Sequence, residues 1–135
     1  QKSGRVVFVS SVAGLLGTQY RASYSAAKAA IHMWANSLRA EVSKDGVEVS
    51  VVFPGFVKTN VSFNALNGEG KPQGHQDEAI ENGLDADVFA QRVVEALMAG
   101  EEYVVVGGKK EQLGVLVSRL SPSLLYKMIR KTKVK

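Results

Sequence analysis

The chain has 135 residues, 45% hydrophobic and 22% charged, enough for one compact folding unit with a real core. It contains no Cys and only two His, His32 and His75, which excludes disulfides, thiolate chemistry and a His-rich metal site. The net charge of +4 is uneven: from Lys109 onward there are eight basic residues and a single acid, Glu111, so the rest of the chain is net acidic. A terminal excess of this kind differs from the spread basic face of a nucleic-acid-binding domain, and no nucleic-acid partner is expected. No apolar run approaches the ~20 residues of a membrane span.

The first predicted element is a short β-branched run, RVVFVSS (5–11), which reads as a strand buried on both faces. It follows almost at once from a start without Met, so the chain is expected to be a piece of something longer. From about Ser23 to Ser43 the apolar residues Ala27, Ile31, Trp34, Leu38 and Val42 recur at steps of three and four, predicting one long helix.

VEVSVVFPG (47–55) is a second strand, closed by Pro54. A polar, Gly-rich stretch from 62 to 83 follows, with the length of a functional or partly disordered loop. Asp85 is the expected cap of a helix carrying Val88, Phe89, Val93, Val94, Leu97 and Met98 up to Gly100. EYVVVGG (102–108) is a third strand. Two helical pieces end the chain, the second introduced by Ser121 and Pro122. The segment 109–135 is amphipathic and basic, suited either to core packing with a solvated tail or to an acidic membrane surface.

Strand and helix therefore alternate, which predicts an α/β fold with a parallel sheet and helices on its faces. Three strands are few for such a sheet, so an N-terminal half is expected to be missing. Ligands of open parallel sheets sit beyond the carboxyl ends of the strands. Three segments fall there: SSVAG after the first strand, PGFVKTN after the second, and the start of the long helix, with Tyr24 and Lys28 one turn apart in YSAAK. A phenol beside an ammonium suits proton transfer, because the cation favours the phenolate. A serine hydroxyl holds a substrate oxygen against it. Strand geometry alone does not choose between Ser10 and Ser11.

The stretch from VVFVSS to LRAEV closely resembles the active-site segment of the short-chain dehydrogenase/reductase family. In that family a strand-end Ser is followed thirteen positions on by Tyr, then by Lys four further. Ser11, Tyr24 and Lys28 match this spacing and Ser10 does not. PGFVKT resembles the family's Pro-Gly-x-Val/Ile-x-Thr loop. The tail is similar to the membrane-associated dehydrogenase/reductase member 7 and hydroxysteroid dehydrogenase group.

The resemblance implies a Rossmann-like sheet, of which residues 1–135 are the C-terminal part, and an NAD(P)-dependent oxidoreductase. Its reaction interconverts carbonyl and alcohol on a lipophilic substrate such as a steroid, retinoid or related ketone. Tyr24 would be the acid/base and Ser11 would polarise the substrate oxygen. Lys28 would assist Tyr24 and bind the nicotinamide ribose. Pro54, Gly55, Val57 and Thr59 would line the nicotinamide site, with Val57 backbone and Thr59 hydroxyl near the carboxamide. NADP(H) is expected over NAD(H) on resemblance alone.

The stretch 62–83 corresponds to the family's substrate lid. A homodimer through the 23–43 helix is implied, with Trp34 and Leu38 as contacts. An endoplasmic-reticulum membrane location is expected, with a cytoplasmic one as the alternative. The family's Gly-rich pyrophosphate turn has no counterpart here: GEGKPQG (68–74) follows no strand and spaces its last Gly wrongly, and reads as a flexible part of the lid. A competing reading is therefore a catalytically inactive fragment or truncated isoform that at most pairs with a full-length partner.

Overall fold

The computed structural model describes residues 3–131. Three strands form one parallel sheet in the order β1 (Gly4–Val9), β2 (Val47–Pro54), β3 (Tyr103–Val106). Val6 faces Val49 and Val9 faces Val52 in the first pair; Val51 faces Tyr103 and Pro54 faces Val106 in the second. The predicted α/β fold with helices on both faces of a parallel sheet is what forms.

The period-2 pattern of the central strand sorts the core into two layers. Val49, Val51 and Phe53, all fully buried, meet helices α1 (Ala22–Glu41), α4 (Lys109–Leu120) and α5 (Pro122–Lys131) through Ala35, Val115 and Leu125. Val52, on the other face with Val104 and Val106, meets α3 (Ala86–Met98) through Phe89, Val93 and Leu97. Asp85 caps α3 as expected, its carboxylate accepting from the Asp87 and Val88 amides. Pro122 opens α5, and the Ser121 carbonyl accepts from the Leu124 and Leu125 amides.

Three expectations change. β1 is not buried on both faces: Val6, Val7 and Val9 are 40%, 39% and 56% exposed, and β1 is an edge strand, paired among the described residues with β2 alone. The buried stripe of α1 is rotated away from Ala27 and Trp34. Ala35 is completely buried in the core with Val49, Val51 and Phe53, whereas Trp34 stays exposed with its ring edge-on to Phe8. Leu38 packs on the core and Trp34 does not, so the two do not share an outward face.

The third change concerns residues 62–83, which are built of defined turns. A short helix, α2 (Glu78–Glu81), buries Ile80. GEGKPQG lies in a tight hairpin bridging Leu66 and Pro72, in which Asn67 Oδ1 accepts from the Glu69 and Lys71 amides. Gly70 and Gly74 there take φ of 76° and 71°, a conformation open to glycine. No helix among the described residues is long and apolar enough to cross a membrane. Residues 132–135, the end of the basic tail, lie outside the described residues.

Candidate active site

The two serines that end β1 have different surroundings. Ser10 is buried, and its hydroxyl donates to the Lys28 carbonyl at 2.8 Å while its amide continues the ladder to Val52. Ser11 is half-buried and starts a 3₁₀ turn, Val12–Gly14. Its Oγ accepts from the Ala13 amide at 3.1 Å and donates to the Pro54 carbonyl at 3.4 Å. The turn lies directly on α1: a Cβ added to Gly14 would stand 2.8 Å from the Lys28 carbonyl carbon. Only glycine admits that approach.

Tyr24 sits in the first turn of α1, 43% exposed, and Lys28 follows one turn later. The Lys28 ammonium is 5.9 Å from the Tyr24 ring centroid and donates to the Val9 carbonyl at 3.2 Å. Tyr24 and Lys28 are thus neighbours at the end of β1 where Ser11 begins its turn.

Pro54 and Gly55 continue β2 to the rim of the sheet, Gly55 donating its amide to Val106. Beyond them the backbone runs beside Leu84. The Leu84 amide donates to the Phe56 carbonyl and Lys58 donates to the Leu84 carbonyl, which forms a parallel bridge at Val57. Val57's own N–H and C=O lie outside that bridge. Thr59 is exposed, and its carbonyl accepts from Gln76 Nε2 at 2.6 Å.

All the sequence-predicted residues therefore lie at one rim, though at different depths. Ser11 is hydrogen-bonded to the Pro54 carbonyl, Gly55 follows in the chain, Tyr24 and Lys28 flank them, and Thr59 stands at the outer end. The Val57 amide, the Thr59 hydroxyl and the Lys28 ammonium are hydrogen-bond donors along this rim.

Several residues of the rim were not singled out from sequence. Ser62, buried, donates to Gln76 at 2.5 Å and accepts from the Asp77 amide, and Asp77 forms an ion pair with Arg21 at 3.2 Å. This clasp closes the base of the 62–77 segment and ties it to the residue before α1. Its partners are 14 and 15 residues apart in irregular chain, so no periodicity announces it. Glu111 folds over the Gly55–Phe56 backbone. Its signal was available: it stands three residues after Gly108, the spacing of a capping box.

His32, on α1, packs inward. Its ring stands edge-on to Phe53 at 5.0 Å and to Tyr103 at 5.8 Å, with Nε2 3.1 Å from Asn36 Nδ2. Burial, then the charges of Arg39 and Arg119, hold its pKa below the ordinary 6.5. An open cleft of about 590 Å³ lies between Leu15 and Gly17 and helix α5, lined also by Leu125, Tyr126, Ile129 and Arg130. Its size suits a small molecule, but neither Ser11, Tyr24 nor Lys28 lines it.

A family model described as short chain dehydrogenase matches residues 1–69. The chain is 37% identical over 133 residues to "Dehydrogenase/reductase SDR family protein 7-like" of Drosophila melanogaster, covering 98% of this chain and 41% of that protein. It is 35% identical over 127 residues to "Dehydrogenase/reductase SDR family member 7B" of Danio rerio, covering 94% and 41%. Among solved structures it is similar to a short chain dehydrogenase from Burkholderia cenocepacia in complex with NADP. The TM-score there is 0.74 at 24% identity, over 97% of this chain and 48% of that one. A Burkholderia phymatum short chain dehydrogenase/reductase in complex with NAD gives a TM-score of 0.71 at 20% identity, over 90% and 49%. The chain thus spans about two fifths of the length of these curated relatives. It belongs to the short-chain dehydrogenase family, and its sheet is the Rossmann-type sheet of that family.

Proposed function

We propose that this member of the short-chain dehydrogenase family contributes the chemical half of an NAD(P)-dependent oxidoreductase site that interconverts a carbonyl and an alcohol. The observation that carries the reading is the meeting of three segments: Ser11 bonds the Pro54 carbonyl while its turn, through Gly14, lies on α1 at Lys28. A bound nicotinamide cofactor supplies or accepts the hydride. Ser11 orients the substrate oxygen, which half-burial leaves accessible. In reduction Tyr24 gives its phenolic proton to that oxygen, and in oxidation the phenolate takes it back. Lys28 stabilises the phenolate charge and reaches the ribose once its bond to the Val9 carbonyl is exchanged. NADP(H) is favoured over NAD(H) on resemblance; solved relatives of the fold carry either.

A lipophilic substrate such as a steroid or retinoid is consistent with the apolar side chains exposed near the rim, Val61 at 63% and Phe63 at 48%, on the segment that the clasp holds beside α1. The competing reading is a non-catalytic chain that pairs with a full-length partner. Trp34 and Met33, exposed on α1, are the dimer contacts in either case. Leu38 is withdrawn from that role because it packs inward.

A membrane-surface role has its own observation. Leu113, Leu116 and Leu120 form a stripe on α4 that is 53%, 53% and 76% exposed, with Lys109 and Lys110 at its start and Lys127, Arg130 and Lys131 on α5. Flotation of the chain with phosphatidylserine vesicles, and not with phosphatidylcholine vesicles, is the expected result. It would favour the endoplasmic-reticulum surface over a purely cytoplasmic location.

The decisive experiment compares the 135-residue chain with a chimera in which this chain replaces the matching segment of the fly relative. The chimera is expected to bind NADPH and reduce a test ketone, and Tyr24→Phe to abolish turnover without changing the fold. Full turnover in the Tyr24→Phe chimera would refute the assigned chemistry. Tight NADPH binding and turnover by the 135-residue chain alone would refute the non-catalytic reading.

A further inference from the structure

We infer that Glu111 is a positioning residue for the Pro54–Val57 loop, acting through the Phe56 amide. The local sequence is Gly107-Gly108-Lys109-Lys110-Glu111, at the passage from β3 into α4. Gly108 is the helix N-cap and has no side chain with which to cap. Glu111, the third helical residue, bends its carboxylate back into the space the two glycines leave. A Cβ on Gly108 would lie 2.7 Å from Oε2, and one on Gly55 would lie 3.3 Å from Oε1. The carboxylate therefore occupies a slot that any side chain at either glycine would fill.

Three observations place this slot against the loop. Gly55 and Gly107 touch backbone to backbone, a Cβ on Gly55 falling 2.9 Å from the Gly107 Cα. The Gly55 amide donates to Val106 at 2.8 Å, which fixes the end of β2 on β3. The next amide, that of Phe56, has passed the end of the ladder and donates to Glu111 Oε1 at 3.4 Å, a long bond that the half-burial of Glu111 protects. A negative group is favoured at this point because it lies in the first turn of α4, where the helix dipole is positive.

The consequence falls on Val57. The Phe56 carbonyl accepts from the Leu84 amide at 2.9 Å. In a trans peptide the N–H lies opposite the C=O, so the Val57 N–H is turned away from Leu84. Glu111 holds the amide side of Phe56 and Leu84 holds its carbonyl side. Together they set the direction in which Val57 presents its backbone groups. This inference rests on the proposal that those groups meet the nicotinamide end of the cofactor.

Two measurements test it. In the 135-residue chain, hydrogen exchange of the Phe56 amide followed by NMR is expected to quicken on the order of tenfold in Glu111→Ala, the scale of one lost hydrogen bond. Glu111→Asp, which keeps the charge and loses the reach, should do the same. Glu111→Gln, which keeps an acceptor oxygen at the same distance, should exchange as the parent does. An unchanged Phe56 rate in both Ala and Asp variants overturns the hold, and folding of either one suffices to read it. In the chimera, Glu111→Ala and Glu111→Asp are expected to raise KM for NADPH about tenfold with kcat within about twofold, and Glu111→Gln to restore KM. A fall in kcat with unchanged KM overturns the positioning role. If the parent chimera binds neither NADPH nor NADH, the cofactor reading of the loop fails, while the exchange measurement still decides whether Glu111 holds it.

Discussion

The hydroxyl of Ser10 donates to the carbonyl of Lys28 at 2.8 Å, so the residue before Ser11 is bonded to the backbone of the residue one turn beyond Tyr24. The strand that delivers the serine and the helix that delivers the phenol are thereby fixed to each other inside the core, away from solvent. The two adjacent serines divide their work. One is structural, and the other caps a turn and leaves its oxygen at the rim.

Ser10→Ala is accordingly expected to cost about 1 kcal/mol of stability, the scale of one buried hydrogen bond. Ser11→Ala, half-buried and bonded to Pro54 at a long 3.4 Å, should cost less in denaturant unfolding. In the chimera the order reverses, with Ser11→Ala the more damaging to turnover. Equal effects of the two changes in both measurements would contradict this division.

Gly14→Ala places a methyl group about 3 Å from the Lys28 and Ala29 backbone, where nothing flexible can yield. A loss of about 1–3 kcal/mol is expected, as for overpacking. Gly17→Ala, which meets no atom within 4 Å, is the control and should melt within a degree or two of the parent. A Gly14→Ala chain as stable as Gly17→Ala would show that the turn can leave α1 freely.

His32 gives a pH dependence of definite sign. Its folded pKa is depressed by burial and by Arg39 on α1 and Arg119 on α4, with the neutral ring packed against Phe53 and Tyr103. Below the unfolded value of 6.5 the unfolded chain binds the extra proton first. Stability is therefore fully present above about pH 6.5 and falls as the pH drops toward the lowered folded value. His32→Gln should flatten the decline between pH 7 and 5 in urea titrations. An identical pH profile in the variant would remove His32 as its source.

The Arg21–Asp77 pair is part-exposed and so contributes at most about 1 kcal/mol to global stability. Its effect should be local. Asp77→Asn is expected to leave the melting temperature nearly unchanged while speeding amide exchange in residues 62–77, the segment it ties to α1. Slowed or unaltered exchange there would contradict the tie.

The elements were legible in the residues because their signals are local. Runs of Val in β2 and β3, the Asp85 cap and the Ser121-Pro122 start each depend on neighbours in sequence, and the structure has them. The rotation of α1 was not legible: Ala35, too small to weigh in an apolar stripe, is buried because its smallness admits the sheet, and Trp34 is left outside. The fate of β1 depends on what lies beyond its edge, which no residue within the run reports. In the site, spacing separated Ser11 from Ser10 only through family resemblance, whereas the structure distinguishes them by hydrogen bonding. The Ser62–Gln76–Asp77 clasp joins residues through a segment without period, and only coordinates reveal it.

The open side of β1 has a practical consequence. Val6, Val7 and Val9 stand beside backbone groups that meet no neighbouring strand among the described residues, which is the surface along which chains pair with one another. Solutions of the 135-residue chain should therefore scatter light increasingly with concentration. A lysine in place of Val7 should keep them clear, so the seam would limit expression and crystallisation before any question of chemistry arises.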